Sequence, residues 1–148
     1  MYEQDGPSSS ARVDIKTNDL VTWQDAFQFV TAPSCCTGPT GPNWTLTGTF
    51  QWDIKANNWN AASPEPSLSL TSNGATGSLI VIDDPINLVL QANVSPAILT
   101  GATAAAGATG PGLLPGEYSH ALRMNNTGAS PVIVVELLHG KYYLKHGV

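Results

Sequence analysis

Charge is what this sequence has least of. Asp, Glu, Lys and Arg make up 11% of its 148 residues, against about 25% in an ordinary soluble domain. Gly, Ser, Thr, Asn and Ala fill the polar positions instead. A surface this poor in charge repels its neighbours weakly, so packing against other subunits costs little. Basic residues are scarcest of all. There are six Lys and Arg and the net charge is −5. They are scattered from Arg12 to Lys145, and no basic run exists to neutralise phosphates, so no nucleic-acid partner is expected. Long apolar runs are missing too. None approaches the about 20 residues that a membrane-spanning helix needs. The start, MYEQDGPSSS, lacks the basic residues and apolar stretch of a secretion signal, so synthesis in a cytoplasm is expected.

Cysteine is limited to two adjacent residues, Cys35 and Cys36. Adjacent Cα atoms lie only about 3.8 Å apart, which disfavours a relaxed disulfide between them. Two thiols cannot complete a fourfold zinc shell. Free thiols or a bridge between copies of the chain remain. The histidines, His120, His139 and His146, show no metal-ligand spacing and read as solvent-facing. Ser119-His120 lacks the constrained turn and oxyanion hole that a nucleophile needs. Asp83-Asp84-Pro85 with Asn87 is too small an oxygen set for Ca²⁺ and reads as an Asx turn between strands. No glycine-rich phosphate loop joins a strand to a helix. No enzyme activity, cofactor or metal is therefore expected.

What the chain does have is alternation. Hydrophobic residues reach 42%, enough for a globular core. Val13 and Ile15 alternate with polar neighbours in a first strand. Val21 and Trp23, then Phe27 and Phe29, give a second stretch broken near Asp25-Ala26. Phe50, Trp52 and Ile54 mark the clearest half-buried strand. Ser67–Leu70 and Gly77–Asp83 flank Ser72-Asn73-Gly74, and Asn-Gly predicts that they pair as a hairpin. Ile86, Leu88 and Leu90 predict another strand. Ser95-Pro96 opens one short helical turn, with Ser as cap and Pro at the first helical position. Glu117–Met124, Pro131–Leu138 and Lys141–Leu144 predict the last three strands, with Thr127-Gly128 and His139-Gly140 as turns. No segment sustains helical periodicity beyond one or two turns.

About eight strands at regular spacing predict a single all-β domain, an antiparallel β-sandwich over residues 11–148, preceded by a flexible arm over 1–10. In LLPGEY, Tyr118 follows a Pro-Gly turn and is placed to bond back to the backbone as the corner of a Greek key. Trp23 and Trp52 fall on inward-facing positions. Trp44 and Trp59 sit in Asn- and Pro-rich loops, where they could pack or offer a weak glycan contact. GATAAAGATGPG, residues 101–112, cannot form a collagen helix because its Gly triplet breaks at Ala104. It reads as a long loop available to a neighbouring subunit.

Several motifs occur in an order that resembles a known family. Asn18-Asp19-Leu20 precedes the Trp23 strand, where that family usually carries Gly-Asp-Thr. Leu46-Thr47-Gly48 leads into Phe50–Lys55, Gly116-Glu117-Tyr118 follows the helical turn, and Leu138-His139-Gly140 comes late. Together these resemble the immunoglobulin-like N-terminal domain of phage baseplate upper proteins and related tail proteins, over residues 11–148. The resemblance implies an immunoglobulin-like Greek key and a virion structural role, with no catalytic residues. It implies assembly with other virion proteins and with copies of itself in a virion made in the host cytoplasm, without a membrane partner. The expected function is a tail or baseplate accessory or adaptor. Capsid decoration and a carbohydrate-binding module are the alternatives. The candidate contact residues are Tyr2 in the arm, Cys35, Cys36, Trp44 and Trp59 in the loops, and Thr103, Thr109 and Pro111 in the glycine-rich segment.

Overall fold

A computed structural model describes residues 10–29, 46, 48–56, 67–72, 78–126 and 133–147. The chain is all-β with sheets of antiparallel strands and one short helix. Its elements are β1 (Ala11–Arg12), β2 (Ile15–Asn18), β3 (Ala26–Gln28), β4 (Thr49–Ala56), β5 (Leu68–Ser72), β6 (Ile80–Asp84), β7 (Val89–Ala92), α1 (Pro96–Leu99), β8 (Ala108–Thr109), β9 (Gly116–Asn126) and β10 (Ile133–Lys145).

The large sheet runs β1-β10-β9-β4-β5-β8, with β2 also on β10, and the small sheet runs β3-β7-β6. Alternation explains the inner face of the large sheet. Phe50, Trp52 and Ile54 on β4, and Leu122 and Met124 on β9, are completely buried. The inner faces of the two sheets meet. Phe27 of β3 lies edge-on to Trp52 of β4 with ring centroids 5.5 Å apart, and Trp23 lies 4.8 Å from Trp52. One apolar cluster draws on both sheets. The strand order and this shared core are consistent with an all-β sandwich.

Four expectations need correction. The first strand is two short ones, β1 and β2, and both run parallel to β10. The predicted hairpin across Asn73-Gly74 does not form. β5 pairs with β4 and β8 while β6 pairs with β7, so the two strands lie in different sheets. They meet where Ser72 Oγ donates to Ile80 O at 3.0 Å. His139-Gly140 is no turn, because β10 continues through it. Ile86 belongs to the β6–β7 turn, where it is exposed, and β7 begins after Leu88. That turn is organised by Asp84, which accepts from Ile86 N, Asn87 N and Asn87 Nδ2 at 2.8–3.1 Å. Leu88 holds φ of 56° while its side chain is buried. Core packing outweighs the backbone cost there.

The segment 101–112 folds back onto an edge rather than looping freely. Thr71 N donates to Gly107 O at 2.7 Å and Gly112 N to Ser67 O at 2.9 Å, and between them β8 lies along β5. A Cβ on Gly107 would run into Thr71 O. Glycine is needed there because two backbones touch. The edge of β5 is thereby covered, a usual protection against unwanted strand pairing.

Candidate interaction surfaces

His120 is a buried polar group of the core rather than solvent-facing. Its register on β9 places it opposite Gly140 of β10 and Ile54 of β4. Trp52 Nε1 donates to His120 Nδ1 at 3.1 Å, so the ring proton sits on Nε2, which donates to Val13 O at 2.6 Å. One neutral imidazole thus ties three segments: β4, β9 and the β1–β2 junction. Immunoglobulin domains with the inter-sheet disulfide place its second Cys two residues after the corner Tyr, packed against the Trp of the central strand. Here His120 follows Tyr118 by two and hydrogen-bonds Trp52.

Burial pushes the His120 pKa down. The Val13 carbonyl and the charges of Asp14 and Glu136 oppose that shift, and His139 adds to it. The neutral form is favoured in the fold, so the unfolded chain binds the extra proton first. Stability is then full above the unfolded His value of about 6.5 and falls as pH drops below it toward the folded pKa. Urea midpoints are expected to fall between pH 7.5 and 5.5, and His120→Gln should flatten that slope. An equal slope in both chains would contradict this assignment.

Tyr118 makes the corner contact. Its hydroxyl donates to Leu114 O at 2.8 Å and accepts from Leu114 N at 3.0 Å. Tyr118→Phe is expected to cost about 1 kcal/mol, read from thermal or urea unfolding.

The outer face of the large sheet carries a shallow depression of about 350 Å³ with Ser119, Ala121 and Gly140 on its floor. Four of the chain's six basic residues line it: Arg12, Lys55, Arg123 and Lys141. Each is already engaged. Arg12 lies 3.7 Å from Asp14, Arg123 binds Asp53 and Lys141 binds Glu117, and Lys55 is also in contact. Asp53 is buried and further accepts from Ser69 Oγ at 2.7 Å and Gln51 Nε2 at 3.1 Å. Arg12, Arg123 and Lys141 are thus paired with carboxylates of the same domain.

The other two basic residues, Lys16 and Lys145, line a larger open groove of about 840 Å³. It lies between β2 and the returning segment Val21–Asp25, with Tyr143 and Asn18 on its wall. The groove's carboxylates are occupied. Asp25 accepts from Trp23 Nε1 at 3.0 Å. Asp14 accepts from Lys141 N at 3.0 Å, which holds its carboxyl below the usual range. Next to the groove, Asp19 accepts from His146 Nδ1 and Gly147 N, anchoring the end of β10. Bonding to His146 lowers the Asp19 pKa.

Of the candidate contact residues, Thr103, Thr109 and Pro111 are exposed, Thr109 on β8 itself and Thr103 bonded back to Ala97 of α1. Tyr2, Cys35, Cys36, Trp44 and Trp59 lie outside the described residues. Sequence reasoning missed the Lys16–Lys145 groove and the His120 bridge. Both depend on the junction of β1 and β2 lying against β10, a contact between the two ends of the chain. The one available signal was local, the position of His120 two residues after the corner Tyr. Among the described residues, no three of His, Cys, Asp and Glu gather as a metal shell would require. The chain matches no known family model and no curated protein sequence.

Proposed function

We propose that this chain is a structural subunit of a tailed-bacteriophage virion, an accessory or adaptor of the tail or baseplate that works through protein–protein contacts. The observation that carries the reading is how the described polar side chains are spent. His120, Asp53, Asp84, Asp19 and four of the six basic residues all serve contacts within the domain. Sheet edges, the Lys16–Lys145 groove and single exposed apolar side chains such as Ile86 and Leu114 are left to meet partners. An edge can accept a partner strand through backbone hydrogen bonds, which suits a surface with little charge. The ordered motifs from Asn18 to Gly140 supply the virion context by resemblance. Particles assembled without this chain are expected to show missing or misjoined tails by electron microscopy. Normal tails and normal infectivity in its absence would count against the reading.

A further inference from the structure

We infer that the groove beside β2 receives residues 1–9 of a second copy of this chain, added as an antiparallel outer strand on the β2 edge. The inference rests on the assembly reading above and names one of its contacts. Three observations lead to it. The first is the edge itself. Val13 N and Asp19 N donate to His139 O and Lys145 O, so the odd-numbered residues of β2 point their backbone groups at β10. By alternation Lys16 points its N–H and C=O the other way, and among the described residues no strand lies there.

The second is charge. Of the chain's six basic residues, Arg12, Arg123 and Lys141 meet carboxylates and Lys55 has a contact of its own, whereas Lys16 and Lys145 meet no carboxylate among the described residues, and both line this groove. They share the outer face. Tyr143 pairs with Lys16 and Lys145 with Asn18, so the lysines are offset by two residues along the strands.

The third is the sequence Met1-Tyr2-Glu3-Gln4-Asp5. Glu3 and Asp5 stand two apart, which in an extended strand puts both carboxylates on one face about 6.6 Å apart. Running antiparallel to β2, Asp5 comes beside Lys16 and Glu3 beside Asn18, within reach of Lys145. Tyr2 then arrives at Leu20 and Val21, which are 63% and 59% exposed. A second copy is the better source than the same chain. Ser10 is held by His139, whose Nδ1 lies 2.8 Å from Ser10 Oγ. That anchor sits six residues up β10 from Lys145, so the described chain begins well away from the lysine at the end of the groove.

The test is sedimentation equilibrium of the full chain with charge reversal. The wild type is expected to self-associate with concentration. Lys16→Glu with Lys145→Glu should weaken association about tenfold while leaving the urea midpoint unchanged. Adding Glu3→Lys and Asp5→Lys to that double variant should restore it. A wild type that stays monomeric, a reversed chain that associates equally well, or a fourfold variant that fails to recover would each overturn the inference. Particles that contain the chain at tail-like copy number while the isolated chain stays monomeric would remove this contact and leave the assembly reading standing.

Discussion

Replacing Trp52 with alanine is expected to lower stability by about 3–5 kcal/mol, a large part of the about 5–15 kcal/mol that holds a domain of this size. Two effects combine. The indole is fully buried and stacks edgewise with Trp23 and Phe27, so its removal opens a cavity between the two sheets. It also donates to His120 Nδ1, and without it a buried acceptor is stranded. Trp52→Phe separates the effects. Phenylalanine restores much of the apolar volume but not the donor, so about 1–3 kcal/mol should still be lost. Urea unfolding of both variants checks this. A Phe variant as stable as the wild type would show that the Trp52–His120 bond contributes little.

The second large effect is expected at Gly140. Its φ is 151°, and a Cβ there would run into Val13 O. That carbonyl accepts from His120 Nε2, and the neighbouring bonds from Val13 N to His139 O and from Lys141 N to Asp14 close the same junction. Gly140→Ala therefore strains the backbone where β1 passes into β2. The cost should be about 3 kcal/mol, the upper end for a position held in a sparsely populated conformation. Hydrogen exchange should localise it. The amides of Val13 and Asp19, which donate to β10, should lose protection before those of β4 and β9. Uniform loss of protection across the large sheet would contradict a local junction.

Gly140 also shows why part of the fold was hidden in the sequence. His139-Gly140 looks like a turn because glycine there is read locally, yet the glycine answers to Val13, far away in the chain. The same is true of β2, whose pairing with β10 joins residues 15–18 to 142–145. Local pattern was a good guide where one face of a strand is buried, as in Phe50, Trp52 and Ile54, and where capping chemistry is local, as in Ser95 before α1 or Asp84 in its turn. It failed at Asn73-Gly74, where turn propensity suggested a hairpin but the flanking strands joined different sheets. It failed again at Ile86, whose apolar side chain continued an alternating pattern into an exposed turn.

For the interaction surfaces, the glycine-rich segment was recognisable as unusual, but its role as an edge cover depends on backbone contacts with Ser67 and Thr71. The two lysines of the groove carry no local signature. They stand out only once the other four basic residues are seen to be engaged elsewhere. The corner at Tyr118 was readable because its partner, Leu114, is four residues away.

The measurement closest to the central claim is the copy number of this chain in purified virus particles, by quantitative mass spectrometry against the most abundant shell protein of the same particles. The account predicts that the chain is present at roughly 3 to 18 copies, set by the small closed symmetries of a tail or baseplate. A count on the scale of the capsid shell would move the chain to capsid decoration. Its absence from particles would contradict a virion role altogether.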